Sequence, residues 1–213
     1  MSYQVKTLYY TLQGEGARAG RPAVFCRFAG CNLWNGRDQD RAKAKCWFCD
    51  TDFVGTDGIG GGSFPDANAL ASAIASQWPK DERGRPYVVF TGGEPLLQLD
   101  EALLTAVKAA GFETSVETNG TLPAPAGLDW ITVSPKPGAP VVLRRGNELK
   151  LVYPQEVHPD SVVDLEFDHF YLSPLHSAEP TTREQHLKAA LDYCLTHPRW
   201  QLTMQYHKIW NIP

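Results

Sequence analysis

Six short apolar runs, most of them ending in a polar or glycine-rich motif, constrain the fold of this 213-residue chain most strongly. Runs of this length that are rich in Val, Ile, Phe and Tyr are typical of β-strands. The six runs are AVFCRFAG, YVVFTGG, ETSVETNG, DWITVSPK, NELKLVY and FYLSP. Amphipathic segments lie between several of them, and this alternation predicts a parallel β/α architecture.

Three amphipathic segments are predicted to be helices. The first begins near the N-cap candidate Asp66 and ends before Pro79. The second runs from about Asp100 to Ala110, and Gly111 is placed to take the left-handed C-terminal position. The third, from Thr182 to His197, is expected to present one apolar face at four-residue spacing, formed by Leu187, Leu191 and Leu195.

An incomplete parallel β/α barrel fits these elements better than a complete one. A complete eight-unit barrel typically needs about 250 residues, and the chain has fewer helices than strands. We expect one domain over residues 1–213, with the stretch GTDGIGGGSFPD as its one flexible segment. Because the loops after the carboxyl ends of barrel strands carry the chemistry, the pattern selects TGGEP, ETNG, SPK and SPLH.

Charge and hydropathy exclude several classes of function. The formal net charge of −4 gives no electrostatic basis for binding a nucleic-acid backbone or an anionic membrane in bulk. No run of about eighteen apolar residues is present, and the start MSYQVKTLYY lacks the features of a signal peptide. We therefore expect a cytoplasmic protein that binds neither nucleic acid nor membrane.

The five cysteines favour metal ligation over a disulfide framework, because an odd number in an expected cytoplasmic chain does not suit disulfides. Cys26 and Cys194 lie in apolar or helical patterns and are expected to be small buried hydrophobic residues. The other three, Cys31, Cys46 and Cys49, cluster within CNLWNGRDQDRAKAKCWFCD. They are the candidate metal ligands.

Three clustered thiolates leave two kinds of site open. A closed structural zinc site needs four protein ligands, and no histidine lies between Asp50 and His158 to complete one locally. On a [4Fe-4S] cluster, three thiolates would leave one iron free to bind a small molecule. A catalytic cluster needs such an open iron, whereas a binding module does not.

The motif CWFCDT behind an upstream cysteine, followed by TGGEP, resembles the radical S-adenosylmethionine (SAM) superfamily. In that superfamily three cysteines hold a [4Fe-4S] cluster, and the methionine moiety of SAM chelates the open iron. Most members have the spacing Cys-x3-Cys-x2-Cys with an aromatic residue before the last cysteine. Phe48 matches that aromatic residue, but residues 32–45 expand the first spacing into an insertion whose fold the sequence does not predict.

The N-terminal stretch YTLQGEGARAGRPAVFCRFAGCNLWN resembles the 7-carboxy-7-deazaguanine synthase family, and SVETNGT, ITVSPKP, ELKLVY and YLSPLH follow in the family's order. The resemblance implies a radical lyase that contracts the ring of 6-carboxy-5,6,7,8-tetrahydropterin, with loss of ammonia, on the route to queuosine. It also implies a homodimer, an electron donor such as flavodoxin, and a magnesium ion near Thr51. A threonine hydroxyl is a hard oxygen ligand, which Mg²⁺ prefers.

The resemblance also implies which residues form the site. Three cysteines, Cys31, Cys46 and Cys49, would hold the cluster. SAM would contact Phe48, Asp50, Gly93, Glu94, Ser134, Pro135, Lys136, Ser173, Pro174, Leu175 and His176. The pterin would contact Leu12, Gln13, Gly14, Glu15, Arg27, Thr91 and Pro213.

Elementary chemistry supports some of these assignments and leaves others open. An arginine such as Arg27 can bind a carboxylate through two parallel hydrogen bonds. Glu94 can accept hydrogen bonds from an ammonium group such as that of SAM. Glu117 and Asn119, in the motif ETNG, fit a role in the site and a role as plain strand-end caps equally well.

Two other interpretations remain open on the sequence. The first is a small glycyl-radical activating enzyme, which also uses three cysteines but acts on a protein partner; it predicts the short cysteine spacing and gives no reason for LQGEG or Arg27. The second is a non-catalytic zinc or iron-sulfur binding module. The ordered loop motifs make the second interpretation the weaker one.

Overall fold

A nine-stranded sheet organises the computed structural model, which describes residues 2–80 and 84–213. The strands are β1 (Tyr3–Leu12), β2 (Pro22–Phe28), β3 (Gly62–Phe64), β4 (Tyr87–Gly92), β5 (Glu113–Thr118), β6 (Trp130–Val133), β7 (Arg145–Tyr153), β8 (Glu166–Pro174) and β9 (Trp200–Leu202). Their order in the sheet is β3-β1-β2-β4-β5-β6-β7-β8-β9. Neighbours from β2 to β9 are parallel, whereas β1 is antiparallel to both β2 and β3. The mostly parallel sheet confirms the predicted α/β class, and all six predicted strands are present.

Four helices connect or follow the strands: α1 (Ala67–Gln77), α2 (Glu101–Ala109), α3 (Pro180–Thr196) and α4 (Tyr206–Trp210). The predicted start signals of the first two are confirmed, because Asp66 accepts a hydrogen bond from the N–H of Ala69 and Asp100 from that of Leu103, both at 2.9 Å. Gly111 follows α2 with φ at +88°. α3 begins two residues before the predicted start, with Glu179 as its cap. No helix in the described ranges is long and apolar enough to cross a membrane.

The predicted apolar face of α3 is wrong. Leu191 and Leu195 are 40% and 79% exposed, whereas Ala190 is buried and packs with Tyr193 and Cys194 against the sheet. Successive four-residue steps advance by about 400° around a helix, so a stripe at that spacing turns away from a flat partner. Cys194 is therefore only partly buried, while Cys26 is fully buried as predicted.

The glycine-rich segment, expected from its composition to be flexible, instead forms β3 and packs against β1. Val5 pairs with Gly62 in the antiparallel register. A Cβ atom at Gly60 would lie 2.2 Å from the carbonyl oxygen of Leu8, and one at Gly61 would lie 2.3 Å from that of Lys6. Glycine is required here because two backbones approach closely, which composition alone does not distinguish from flexibility.

Alternation along the strands separates an apolar helix side from a polar interior side. In β2, Cys26 joins the apolar core beneath α1 and α2, while Arg27 faces the interior. In β7, Leu149 and Leu151 join the apolar core beside α3, while Lys150 faces the interior. The helices thus stabilise the outer face of the sheet and leave the inner face free for polar chemistry.

The loop between β1 and β2, residues 13–21, folds back into the interior and forms its floor. The N–H of Gly16 donates to Oγ1 of Thr203 at 2.7 Å, and the N–H of Ala17 donates to Glu148 at 3.0 Å. Further along the loop, Arg18 and Arg21 both form ion pairs with Glu113, which lies at the amino end of β5. This network fixes the loop beneath the carboxyl ends of the parallel strands.

Candidate active site

A cavity of about 540 Å³ lies above this floor, at the carboxyl ends of the parallel strands. It brings together nearly all the residues singled out in the sequence. Those that line it are Leu12, Gln13, Gly14, Glu15, Arg27, Cys31, Cys46, Phe48, Cys49, Asp50, Thr51, Thr91, Gly93, Ser134, Lys136, Ser173, Pro174, Leu175, His176 and Pro213. Glu94 and Pro135 lie behind this lining. The contacts that each residue makes with a ligand stay predictions.

The three clustered cysteines form one wall of the cavity as free thiols. The N–H of Cys49 donates to the carbonyl of Cys46 at 3.2 Å, which closes the Cys-x2-Cys turn, and the N–H of Leu33 donates to the sulfur of Cys31 at 3.4 Å. Burial raises the pKa of Cys31, whereas a hydrogen bond from the thiol of Cys46 lowers the pKa of Cys49 to about 6.

This donor set fits a cluster better than a single ion. Within residues 2–80 and 84–213, no three His, Cys, Asp or Glu side chains converge closely enough to hold one metal ion. In a [4Fe-4S] cluster each cysteine binds a different iron, so three thiols spread over one wall are the expected arrangement. Cys31, Cys46 and Cys49 are therefore the residues that would hold it.

Lys136 places a cation beside the cysteine wall. Its Nζ donates to the carbonyl of Ser134 at 2.9 Å and lies 6.0 Å from the ring centroid of Phe48. Burial lowers the pKa of Lys136, and the nearby thiols of Cys46 and Cys49 act in the opposite direction. The lysine has no carboxylate partner among the described residues, so its charge is available to a ligand.

Gly93 allows the loop after β4 to contact the loop that carries Cys31. A Cβ atom at Gly93 would lie 2.2 Å from the carbonyl oxygen of Gly30 and 2.7 Å from Cβ of Cys31. The N–H of Glu94 donates to the same Gly30 carbonyl at 2.9 Å. Any side chain at position 93 would therefore displace the first cysteine of the cluster wall.

Glu94 is fully buried and bonded within the protein rather than exposed to the cavity. One carboxylate oxygen accepts from Oγ1 of Thr118 at 2.7 Å and from the N–H of Leu96 at 2.9 Å, and the other accepts from the N–H of Asn119 at 2.9 Å. Burial raises the pKa of Glu94. The carboxylate ties the loop after β4 to the end of β5, and its predicted contact with an ammonium group stays a prediction.

At the floor, Lys150, which was not predicted from the sequence, joins the predicted residues Gln13 and Glu15 and the open candidate Glu117. Nζ of Lys150 lies 2.6 Å from Glu15 and 3.7 Å from Glu117, and Gln13 donates to Glu117 at 2.8 Å. Burial alone would lower the pKa of Lys150, but the surrounding carboxylates have the larger effect and raise it. Burial alone would raise the pKa of Glu117, but Lys150 and the hydrogen bond from Gln13 have the larger effect and lower it. The floor thus presents an ionised carboxylate to the cavity.

Arg27 lies on the interior side of β2, next to Thr91 of β4. In the part of the chain that the structure describes, no carboxylate lies within ion-pair distance of its guanidinium. A half-buried cation without an acidic partner is costly unless an anion binds beside it. Arg27 could therefore bind an anion in the cavity, and its charge also helps to lower the pKa of Glu117.

The C-terminal segment covers the cavity, and Pro213, which the family resemblance assigns to the pterin site, lies in the lining. Lys208 of α4 pairs with Asp50 at 2.6 Å, and the N–H of Tyr206 donates to the carbonyl of Gly14 at 2.9 Å. Burial alone would raise the pKa of Asp50, but its hydrogen bond and ion pair with Lys208 have the larger effect and lower it. The carbonyl of Pro213 accepts from Oγ1 of Thr11 at 3.2 Å. This segment also adds His207 to the cavity lining.

Comparisons with known proteins agree with this geometry. The family model described as the radical SAM superfamily matches residues 39–151, just over half of the chain. The match begins inside the insertion and after Cys31, the cysteine that the expanded spacing separates from the other two.

Full-length relatives are more specific. The chain is 62% identical to a 7-carboxy-7-deazaguanine synthase of Bordetella pertussis and 56% identical to one of Burkholderia multivorans, with 100% of both chains covered in each case. It is also similar to the crystal structure of QueE from Escherichia coli, with a TM-score of 0.70, 26% identity and coverage of 97% of this chain and 95% of that one. These relatives favour a synthase over an activating enzyme or a zinc module. The chain is a radical SAM enzyme and belongs to the 7-carboxy-7-deazaguanine synthase family.

Proposed function

We propose that this chain converts 6-carboxy-5,6,7,8-tetrahydropterin into 7-carboxy-7-deazaguanine, with loss of ammonia and with SAM used catalytically. The observation that carries the proposal is the charge pattern of the cavity. An unpaired cation, Arg27, and an ionised carboxylate, Glu117, both line it, and the substrate has a carboxylate and a pterin edge rich in N–H donors. The two groups on the protein complement the two ends of the substrate.

Arg27 binds the substrate carboxylate in this proposal. Its planar guanidinium can form two parallel hydrogen bonds, which fixes the orientation of the carboxylate as well as its position. Thr91, its neighbour across the β2–β4 pair, places a hydroxyl on the same side. Binding at this point sets the distance of the substrate ring from the cysteine wall.

The floor binds the pterin edge. Glu117 is held in place by Gln13 and Lys150, so its orientation is fixed before the ligand arrives. A preorganised acceptor costs little reorganisation on binding. Backbone groups of residues 12–15 and the C-terminal Pro213 complete the proposed contacts with the pterin. The C-terminal segment above them excludes water and other hydrogen donors.

On the cofactor side of the cavity, Cys31, Cys46 and Cys49 would hold a [4Fe-4S] cluster next to SAM. The cluster and SAM would together supply the radical chemistry that begins at carbon 6 of the substrate. The protein orients the two reacting carbons and keeps them in contact. We assign the nucleoside contacts to residues 134–136 and 173–176, and the methionine contacts to Gly93, Glu94 and the segment around Phe48 and Asp50.

A magnesium ion is part of the proposal. The hydroxyl of Thr51 lies in the cavity lining directly after Cys49 and Asp50. A single hydroxyl is a weak site, because Mg²⁺ requires an octahedron of oxygen ligands. Substrate oxygens and water would therefore complete the coordination, and magnesium would bind mainly together with the substrate.

The remaining parts of the proposal concern the assembly. We propose that residues 1–213 act as one domain, that the chain forms a homodimer, and that a flavodoxin-like protein supplies the electron. We also propose that it works in the cytoplasm. The family relationship supports these statements.

Anaerobic reconstitution followed by a product assay tests the proposed function. The reconstituted chain, SAM and a reductant are incubated with 6-carboxytetrahydropterin, and the product mass is measured. Loss of ammonia with the carboxylate retained is the expected result. Stoichiometric zinc binding without SAM cleavage, or SAM cleavage without any change in the pterin, would contradict the proposal.

A further inference from the structure

Arg41, which lies in the 32–45 insertion, contacts the turn that carries two of the cluster cysteines. The insertion forms a short 3-10 helix, Asp38–Lys43, that ends just before that turn. Nη1 of Arg41 donates to the carbonyl of Trp47 at 3.0 Å and to the carbonyl of Cys49 at 2.8 Å. Nη1 of Arg41 thus links the middle of the turn, at Trp47, to its last cysteine, Cys49.

The guanidinium of Arg41 also contacts Asp38 and Trp34. Nη2 pairs with Asp38 at 2.9 Å, and the guanidinium carbon lies 4.2 Å from the ring centroid of Trp34. Trp34 is buried and packs edge-to-face against the buried ring of Phe53, with centroids 5.6 Å apart. Arg41 therefore connects a packed aromatic pair to the cysteine turn.

We propose that Arg41 is a positioning residue that holds the turn between Cys46 and Cys49 in shape and raises the reduction potential of the cluster bound there. The proposal rests on the [4Fe-4S] cluster of the proposed function. The two hydrogen bonds fix the carbonyls of Trp47 and Cys49 on one guanidinium and so hold the backbone of the turn in one conformation. The positive guanidinium, whose charge Asp38 offsets only in part, also favours the more negative, reduced cluster, since cluster charge and hydrogen bonding set its potential.

Arginine is the side chain that this position requires. Its planar fork can donate to two carbonyls, pair with a carboxylate and stack on an indole at the same time, whereas a lysine ammonium cannot adopt that geometry. Arg41→Lys therefore keeps the charge and loses the fork, and Arg41→Met loses both. Lys43→Met is the matched control, because it removes a charge from the same 3-10 helix at an exposed side chain that makes no contact with the turn.

The test compares these three variants with the unchanged chain after anaerobic reconstitution. Two quantities are measured: the midpoint potential, by a redox titration followed by electron paramagnetic resonance, and the rate of iron release to a chelator. We expect Arg41→Met to shift the potential to a more negative value and to release iron at least threefold faster. Arg41→Lys should release iron faster at a nearly unchanged potential, and Lys43→Met should match the unchanged chain in both.

An unchanged potential in Arg41→Met would overturn the proposal, as would an equal shift in Lys43→Met. If Arg41→Met does not fold, as judged by circular dichroism, the release rate of Arg41→Lys decides the question, and a rate equal to that of the unchanged chain would overturn the proposal. Failure of the unchanged chain to assemble a cluster would instead contradict the proposed function. The two failures are therefore distinguishable.

Discussion

Glu148 makes the stability of this protein depend on pH in a way that the structure predicts. The side chain lies on β7 beneath the floor, is only 3% exposed and accepts a hydrogen bond from the N–H of Ala17. Burial raises the pKa of Glu148 from 4.5 to about 7, although the charge of Lys150 opposes the rise. Between these two values the folded chain holds a proton that the unfolded chain has released.

The sign and size of the effect follow from proton linkage. Stability from this group is fully present below pH 4.5 and is lost as the pH rises through about 7, since only the folded state binds the proton in that window. At about 1.4 kcal/mol per pH unit, the loss across the window is about 3 kcal/mol.

Glu148→Gln tests this reasoning because glutamine keeps an acceptor for Ala17 and cannot ionise. We expect the variant to be more stable than the unchanged chain by about 1–3 kcal/mol at pH 8, and to lose that advantage at pH 4.5. Urea unfolding of the metal-free chain, followed by tryptophan fluorescence at both pH values, measures the difference. Glu166→Gln, at an exposed position on β8, is the control. An equal difference between Glu148→Gln and the unchanged chain at the two pH values would refute the assignment.

Six further substitutions, in three groups, test the site. Arg27→Ala should weaken binding of 6-carboxytetrahydropterin by about 2–5 kcal/mol, because it leaves the substrate carboxylate without its charged partner; unchanged affinity by titration calorimetry would remove that assignment. Gly93→Ala should lower the iron content after reconstitution to less than half, because the new methyl group overlaps the loop that carries Cys31, and full iron content would show that the loop can move. Cys31→Ala should abolish cluster assembly, as should the same change at Cys46 or Cys49, whereas Cys26→Ala should retain the cluster. Loss of the cluster in Cys26→Ala, measured by its visible absorption, would show that the ligand set is different.

A local sequence pattern encodes each of the strands and helices that were predicted correctly. Each of the six predicted strands is rich in apolar, aromatic or β-branched residues, and α1 and α2 each begin after an aspartate that caps the helix. Two of the three strands that were not predicted, β3 and β9, have only three residues each, which is too short for a local signal. β1 alternates apolar residues with polar ones such as Lys6 and Thr7, which is itself a strand pattern, so β1 could have been predicted. β3 pairs with β1, which is distant in the chain, whereas β1 pairs with β2 across the loop of residues 13–21.

The features of the site likewise divide into those that the sequence could predict and those that it could not. The motifs at the ends of β4, β5, β6 and β8 could be placed together, because the carboxyl ends of parallel strands meet at one edge of a sheet. The ion pair of Lys150 with Glu15 could not be predicted, since it exists only when the loop of residues 13–21 folds into the interior. The contact of Lys208 with Asp50 joins positions 158 residues apart, and no local pattern encodes it.

The floor of the cavity carries a consequence for any shortened form of this protein. Its hairpin loop is held by Glu148 and Thr203, more than a hundred residues downstream, whereas the cluster cysteines all lie within the first fifty residues. A fragment ending before β7 would keep the three cluster thiols and lose the anchors beneath the substrate. Iron acquisition and substrate recognition would then separate: such a fragment could bind the metal, but it would lack a formed pocket for the pterin.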